Sequence, residues 1–187
     1  TWPEDSEIPV LFLGEWCRLY SRKERWSKMN AEVIPYHWDD RNKLYNDYQY
    51  LIIIYENTLK ALQKQLNEIH QVDHSLHYWR ILIGPWLGWF IQMVFDRWTM
   101  LKHAFEKHEI SSCRVLEKDE STFIPNDMGG FIRFFVDDNW NEEIYSQLLQ
   151  EHCQHNINIE LVRIENDRLQ QPFKENNTFK SMLSRFQ

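Results

Sequence analysis

The sequence is short of the residues that punctuate loops and staple small folds, with 5 Gly, 6 Pro and 3 Cys in 187 residues. So little glycine and proline excludes collagen-like and low-complexity chains. Cys17, Cys113 and Cys153 are odd in number and far apart, and no CxxC pair occurs. Neither a zinc ribbon nor a thioredoxin-type dithiol is available, so reduced thiols in the cytoplasm are the expectation. Positive charge is scarce too, 21 Lys and Arg against 28 Asp and Glu for a net charge of −7. Such a chain offers no basic field to a phosphate backbone, and no nucleic-acid partner is expected. Long hydrophobic runs are missing. The most apolar stretch, residues 81–95, holds 15 residues between Arg80 and Asp96, among them Gly84, Pro85, Gly88 and Gln92. A bilayer core requires roughly 20, so no transmembrane segment is expected. Residues 1–10 lack the charged-then-apolar pattern of a signal peptide. The absent initiating Met and the polar end, residues 170–187, make a piece of a longer protein the expectation.

Aromatic residues, by contrast, are abundant: 9 Trp, 8 Tyr and 11 Phe. They suffice for a packed core and exclude disorder. Residues 8–13 (IPVLFL) read as a strand buried on both faces and closed by Gly14. Residues 18–28 read as a polar helix with Leu19 and Trp26 inward, and residues 31–38 as a second strand whose end is demoted by Pro35. From Leu44 the apolar positions Tyr48, Leu51, Tyr55, Leu59, Leu62, Leu66 and Ile69 advance by three or four, predicting a long amphipathic helix. Asp39 and Asp40 precede it, where carboxylates suit unpaired N–H groups.

Val72 and Asp73 mark a break between helices, with Asp73 as N-cap. Pro85 suits the first turn of a further helix, apolar on all faces and so expected to be buried, with Gly84 and Gly88 allowing close packing. Residues 112–116 read as a third strand. Pro125 to Gly130 reads as a turn reversed at Gly129 and Gly130. Residues 131–136 are open between strand and helix. A capped helix from about Trp140 to His152 and a last strand over 157–164 follow. The pattern is α/β, a layered domain with a parallel sheet and an unusually helical middle.

Three clusters carry candidate chemistry. Gly14, Glu15 and Trp16 follow the first strand, where ligands bind in open α/β sheets. Gly14 admits a ligand to the backbone, Glu15 serves as base or hydroxyl acceptor, and Trp16 stacks on a sugar face. The alternative is a plain turn with Trp16 in the core. His37, Trp38 and Asp39 follow the second strand, where a His beside carboxylates can shuttle a proton. Helix capping alone would explain the aspartates but not the whole cluster. His70, His74 and His77 have metal-ligand spacing on one continuous helix, but Asp73 interrupts it and no HExxH occurs, so no metal is assigned. In the run from His74 to Trp86, Arg80 meets the most apolar part of the chain and must find an anion, either a ligand or an internal carboxylate. No GxSxG, catalytic cysteine flank or Walker loop is present.

Three segments, LFLGEWCRLY, IPYHWDDRNKLYNDY and VDHSLHYWRILIGPWLGWFIQMVFDRW, resemble the N-terminal region of a family of bacterial transferases associated with surface-carbohydrate synthesis, capsule or O-antigen type. The match runs over residues 8–105, with Asp137 to Asn141 a later echo. The resemblance implies the Rossmann-like N-terminal half of a two-domain GT-B glycosyltransferase, whose nucleotide-sugar site lies in a C-terminal half. Residues 1–169 would then form the acceptor-side domain and 170–187 a linker or truncated end. Glu15 and His37 would be the catalytic bases, with Gly14, Trp16, Trp38, Asp39, His74 and Arg80 lining the substrate. The expected partners are a glycan or lipid-linked glycan acceptor, the missing domain and a second copy of the chain. No cofactor is expected in this chain itself, and alone it would be inactive. The expected location is cytoplasmic, including the inner membrane face. The rival readings are a non-catalytic interaction or oligomerisation domain and a small enzyme using His37 and the aspartates.

Overall fold

The computed structural model describes residues 7–116, 124–152 and 157–162. Cys153, residues 163–164 of the last expected strand, and the segment 170–187 lie outside them. The described chain is mostly helical, with two short parallel strand pairs, and so is α/β in the broad sense. In order, β1 (Val10–Phe12) leads through two 3-10 turns to α1 (Lys23–Trp26) and β2 (Ala31–Val33). Then come α2 (Arg41–His70), α3 (Leu76–Lys107), β3 (Ser112–Leu116), α4 (Met128–Phe135), α5 (Asp138–His152) and β4 (Asn158–Val162).

Helix α2 starts because Asp40 caps it, its carboxylate accepting from the amides of Asn42 and Lys43 at 2.9 and 3.2 Å. It ends at Gln71, whose left-handed backbone (φ 53°) lets Val72 N–H reach Asn67 O at 3.0 Å. Gln71 is a costly residue for that conformation. Gln71→Gly is therefore expected to stabilise the fold by up to about 1 kcal/mol, read as a raised urea midpoint. Helix α3 is capped by Ser75, which accepts from Tyr78 N–H at 3.3 Å; Asp73 is not the cap. Nor does Pro85 open a new helix. Helix α3 runs unbroken through it, because Gly84 has no Cβ to meet the proline ring. Burial of Trp79, Leu87 and Met93 on flanking turns offsets the lost backbone hydrogen bond.

Helices α2 and α3 form a hairpin. Leu59, Trp79 and Leu87 are its buried centre, with Tyr55, Leu62 and Leu66 packed against them. Gly84 makes room for a side chain of α2: a Cβ there would sit 2.5 Å from the Tyr55 hydroxyl oxygen. The all-round burial expected of α3 does not hold, since Ile81, Leu82 and Trp89 are exposed, Trp89 even though its ring meets Phe135 of α4 edge to face at 5.6 Å. Among the described residues no helix is long and apolar enough to cross a membrane.

The second half of α3 organises the rest. Met100 and Ala104 pack on Ile34, just past β2, together with Leu11 and Leu13. Leu101 packs on Val115 of β3 and Leu149 of α5. Met93 meets Phe131 of α4 and Trp140 of α5. The strands β1 and β2 pair in parallel with Val10 opposite Ala31, and β3 and β4 with Ser112 opposite Asn158. Arg114 and Glu160, in register on the second pair, bond at 2.7 Å.

Several boundaries differ from expectation. The first two strands have 3 residues each, because the chain turns into 3-10 conformation at Glu15 and Pro35 cannot donate to a ladder. Residues 18–28 form a 3-10 turn and one short helical turn, with Leu19 exposed. Gly129 and Gly130 make no reversal but occupy the first turn of α4, where Asp127 accepts from Gly130 N–H at 2.6 Å.

Candidate functional site

Parallel pairing of β1 and β2 sends both following loops to the same end of the strand pair. There they meet the middle of α3 and the start of α5, and a cleft of about 800 Å³ opens between them. Glu15, Trp16, Tyr36 and Asp39 line it from the strand loops, Asp96 and Arg97 from α3, and Asp138, Asn141 and Tyr145 from α5. Trp16 and Tyr36 stand edge to face at 5.8 Å, forming an aromatic corner with Trp16 about half exposed. Gly14 fits beneath that corner; any Cβ on it would collide with the Trp16 ring.

At the floor lies a polar network centred on Asp96. One carboxylate oxygen faces His37 Nε2 at 3.1 Å and the other accepts from Arg97 Nη1 at 2.9 Å. The Tyr36 hydroxyl is near enough to Asp96 to feel its charge. Arg97 donates through Nε and Nη2 to Asn141 Oδ1 at 3.0 and 2.7 Å. Asn141 in turn donates its amide to the carbonyls of Phe135 and Asp137. The chain from His37 to α5 is continuous, so it fixes the relative position of three elements.

The titrating groups are shifted by this setting. Burial, then the charge of Asp96, pushes the Tyr36 phenol well above its usual value. Tyr145 is also pushed up, chiefly by burial. Burial holds the His37 pKa below its ordinary 6.5 despite the opposing pull of Asp96 and Asp47. Its Nδ1 has no hydrogen-bond partner, with Asp47 Oδ2 3.9 Å away. His103, in ring contact with His37, is lowered by burial too. The unfolded rings take up a proton near pH 6.5 that the folded ones refuse. Stability present above that pH is therefore lost as pH falls through it towards the lower folded values. The urea midpoint should drop between pH 7.5 and 5.5, and His37→Gln should remove part of the slope while His103 supplies the rest. An unchanged slope would mean that His37 titrates alike folded and unfolded.

The candidates from the sequence divide in space. Glu15, Trp16 and Asp39 line the cleft, with Gly14 beneath Trp16. His37 is fully buried beside Asp96 and is not among the residues that line the cleft. Trp38 does not line the cleft; it is half-buried and stacked on Phe95, with its Nε1 donating to Asp47 at 3.0 Å. His74 and Arg80 sit elsewhere, on the α2–α3 hairpin. His74 accepts through its carbonyl from Gln63 and Asn67 and packs its ring on Tyr78. Arg80 makes a two-pronged pair with Glu56 at 2.6 and 2.8 Å, the internal carboxylate weighed above. That pair holds the Glu56 carboxyl below its usual range. Among the described residues no group of three His, Cys, Asp or Glu is placed to hold a metal. His70 and His77 fall on different helices once Gln71 ends α2.

Asp96, Arg97, Asn141 and Tyr145 were not singled out from sequence. The available signal was Asp96–Arg97 itself, an acid and a base adjacent at the end of the most apolar stretch, where both must be paired. The model of the LIC12162 family transferases matches residues 1–187. The chain belongs to that family. It is thus a member of a transferase family, and no curated protein or solved structure matches it significantly. The cleft brings together an exposed carboxylate, an aromatic corner and a braced polar floor.

Proposed function

We propose that this cleft is the acceptor side of a glycosyltransferase-type centre in bacterial surface-polysaccharide synthesis. In this reading the chain is the Rossmann-like N-terminal half of a GT-B-like enzyme, working in the cytoplasm or at the inner membrane face. The observation that carries it is the cleft lining: carboxylates that accept from hydroxyls, beside Trp16 and Tyr36, whose faces suit sugar C–H surfaces. Glu15 takes the proton of the acceptor hydroxyl as its oxygen attacks the anomeric carbon of the donor sugar. The bond to the nucleotide diphosphate breaks and the diphosphate leaves with the electron pair. The nucleotide sugar is bound by the complementary half. His37 does not touch the acceptor; it is a positioning residue that orients Asp96. His74 and Arg80 brace the helical hairpin and have no contact with substrate.

Ligand-induced thermal stabilisation of the 187-residue chain tests this with nucleotides, nucleotide sugars and short glycans. A ligand at 100 times its Kd should add about 2.7 kcal/mol. A response to glycans and not to nucleotides is the expected result. A response to nucleotides would put the donor site here and overturn the division of labour.

One observation favours the rival interaction domain. Tyr45, Ile52, Ile81, Leu82 and Trp89 leave apolar surface uncovered on the helical hairpin. Light scattering on serial dilution decides it: a persistent dimer together with silence in the ligand panel would replace the transferase reading.

A further inference from the structure

Positive charge is not spread evenly over this acidic chain. Residues 18–28, RLYSRKERWSK, hold five cations against one carboxylate, Glu24, while the whole chain carries −7. Arg18 is engaged: it pairs with Glu15 at 3.1 Å and stacks 4.4 Å over the Trp26 ring. The other four, Arg22, Lys23, Arg25 and Lys28, are exposed. Lys23 and Lys28 have no ion-pair partner among the described residues.

The same segment presents apolar groups to water. Tyr20 is 86% exposed and Leu19 39%, although Leu19 reads from sequence as an inward position. The fold holds them there. Trp26 donates its Nε1–H to the Leu19 carbonyl at 2.9 Å, closing the 3-10 turn Tyr20–Arg22 and the single turn of α1 into one knob. Lys23 Nζ lies 5.9 Å over the Tyr20 ring, so a cation and the most exposed aromatic share one surface. A tyrosine, whose ring is apolar and whose tip is polar, beside a leucine and clustered cations has the chemistry of the layer where lipid headgroups meet water. A polyanion in free solution would engage the cations and leave Leu19 in water. A bilayer takes both.

From this we infer that residues 19–28 dock on an anionic lipid bilayer. Leu19 and Tyr20 enter the headgroup layer, and Arg22, Lys23, Arg25 and Lys28 meet the lipid phosphates. The inference sharpens the membrane-face location proposed above and rests on that part of the reading alone. The Arg18–Glu15 pair ties the knob to the wall of the cleft, so docking holds the cleft close to a lipid-linked acceptor. Each cation near a charged bilayer contributes about fivefold in binding, and Glu24 offsets one of them.

Co-sedimentation of the 187-residue chain with two kinds of vesicle tests it, one of pure phosphatidylcholine and one about a third phosphatidylglycerol. Binding to the charged vesicles should be on the order of a hundredfold tighter, and high salt should remove most of the difference. K23Q/K28Q should weaken binding to them on the order of tenfold. K60Q/K64Q, the same loss of charge at exposed positions of α2, should leave it unchanged. Tyr20→Ser should weaken it severalfold without moving the thermal midpoint. Equal binding to both vesicles, binding to neither, or an equal effect of the two double variants overturns the inference. A single-stranded oligonucleotide bound as tightly as the charged vesicles overturns the lipid assignment. The glycan response of the cleft is read separately, so either result can fail without the other.

Discussion

Asp96→Ala is expected to cost the fold about 3–5 kcal/mol, enough to unfold a domain of ordinary stability at 37 °C. The carboxylate is buried and serves His37 and Arg97 at once. Its removal leaves His37 with neither ring nitrogen partnered, since Nδ1 already has none. It also leaves a mostly buried guanidinium held only by the neutral amide oxygen of Asn141. Each orphaned group bears its desolvation cost without a compensating bond. Asp96→Asn keeps one acceptor for His37 but turns an NH2 towards Arg97, so it should lose about 1–3 kcal/mol. Urea denaturation of the two variants beside the parent orders them. A loss below about 1 kcal/mol in Asp96→Ala would show that water replaces the network, against the account of the floor given above.

Trp140→Ala should cost a comparable amount, about 3–5 kcal/mol, by a different route. The indole is 4% exposed, edge-on to Phe131 at 5.8 Å and stacked on Phe134 at 6.3 Å. With Met93 these rings join α3, α4 and α5. Trp140 also lies between Asp138 and Asn141, so the cavity left behind loosens the wall of the cleft that α5 supplies. The informative comparison is Trp16→Ala. That indole is 46% exposed and touches mainly Tyr36, so its removal should cost no more than about 1 kcal/mol. Its effect should appear in glycan binding instead. Thermal denaturation and calorimetry on the two variants separate framework from ligand contact. A larger stability loss from Trp16→Ala than from Trp140→Ala would reverse the assignment.

Much of the scaffold is legible in the chain because it rests on local rules. The three- and four-residue spacing from Leu44 to Leu66 marks α2, and Leu51 and Leu59 on that stripe are buried. Asp40 and Asp137 sit where capping carboxylates are needed, and the structure uses both. Residues 112–116 form β3 at the expected bounds. Glu15, Trp16 and Asp39 could be placed near one another because loops after parallel strands converge.

Where sequence reading stops, the deciding partner is far away along the chain. Pro85 reads as a helix start; whether α3 tolerates it depends on packing against α2. Trp89, Ile81 and Leu82 lie in the most apolar stretch of the chain, yet all three are more than half exposed. Arg80 needs an anion, but only the folded hairpin supplies Glu56, 24 positions back. Asp96 reads as the polar end of an apolar run. It becomes the hub of the cleft only when β2 delivers His37 and α5 delivers Asn141 to the same face of α3. Helix periodicity, caps and strand direction follow from forces within a few residues, and these the amino-acid order specifies directly. Pairing of buried charges and the closing of a cleft depend on long-range burial, which removes water from groups that no local pattern brings together.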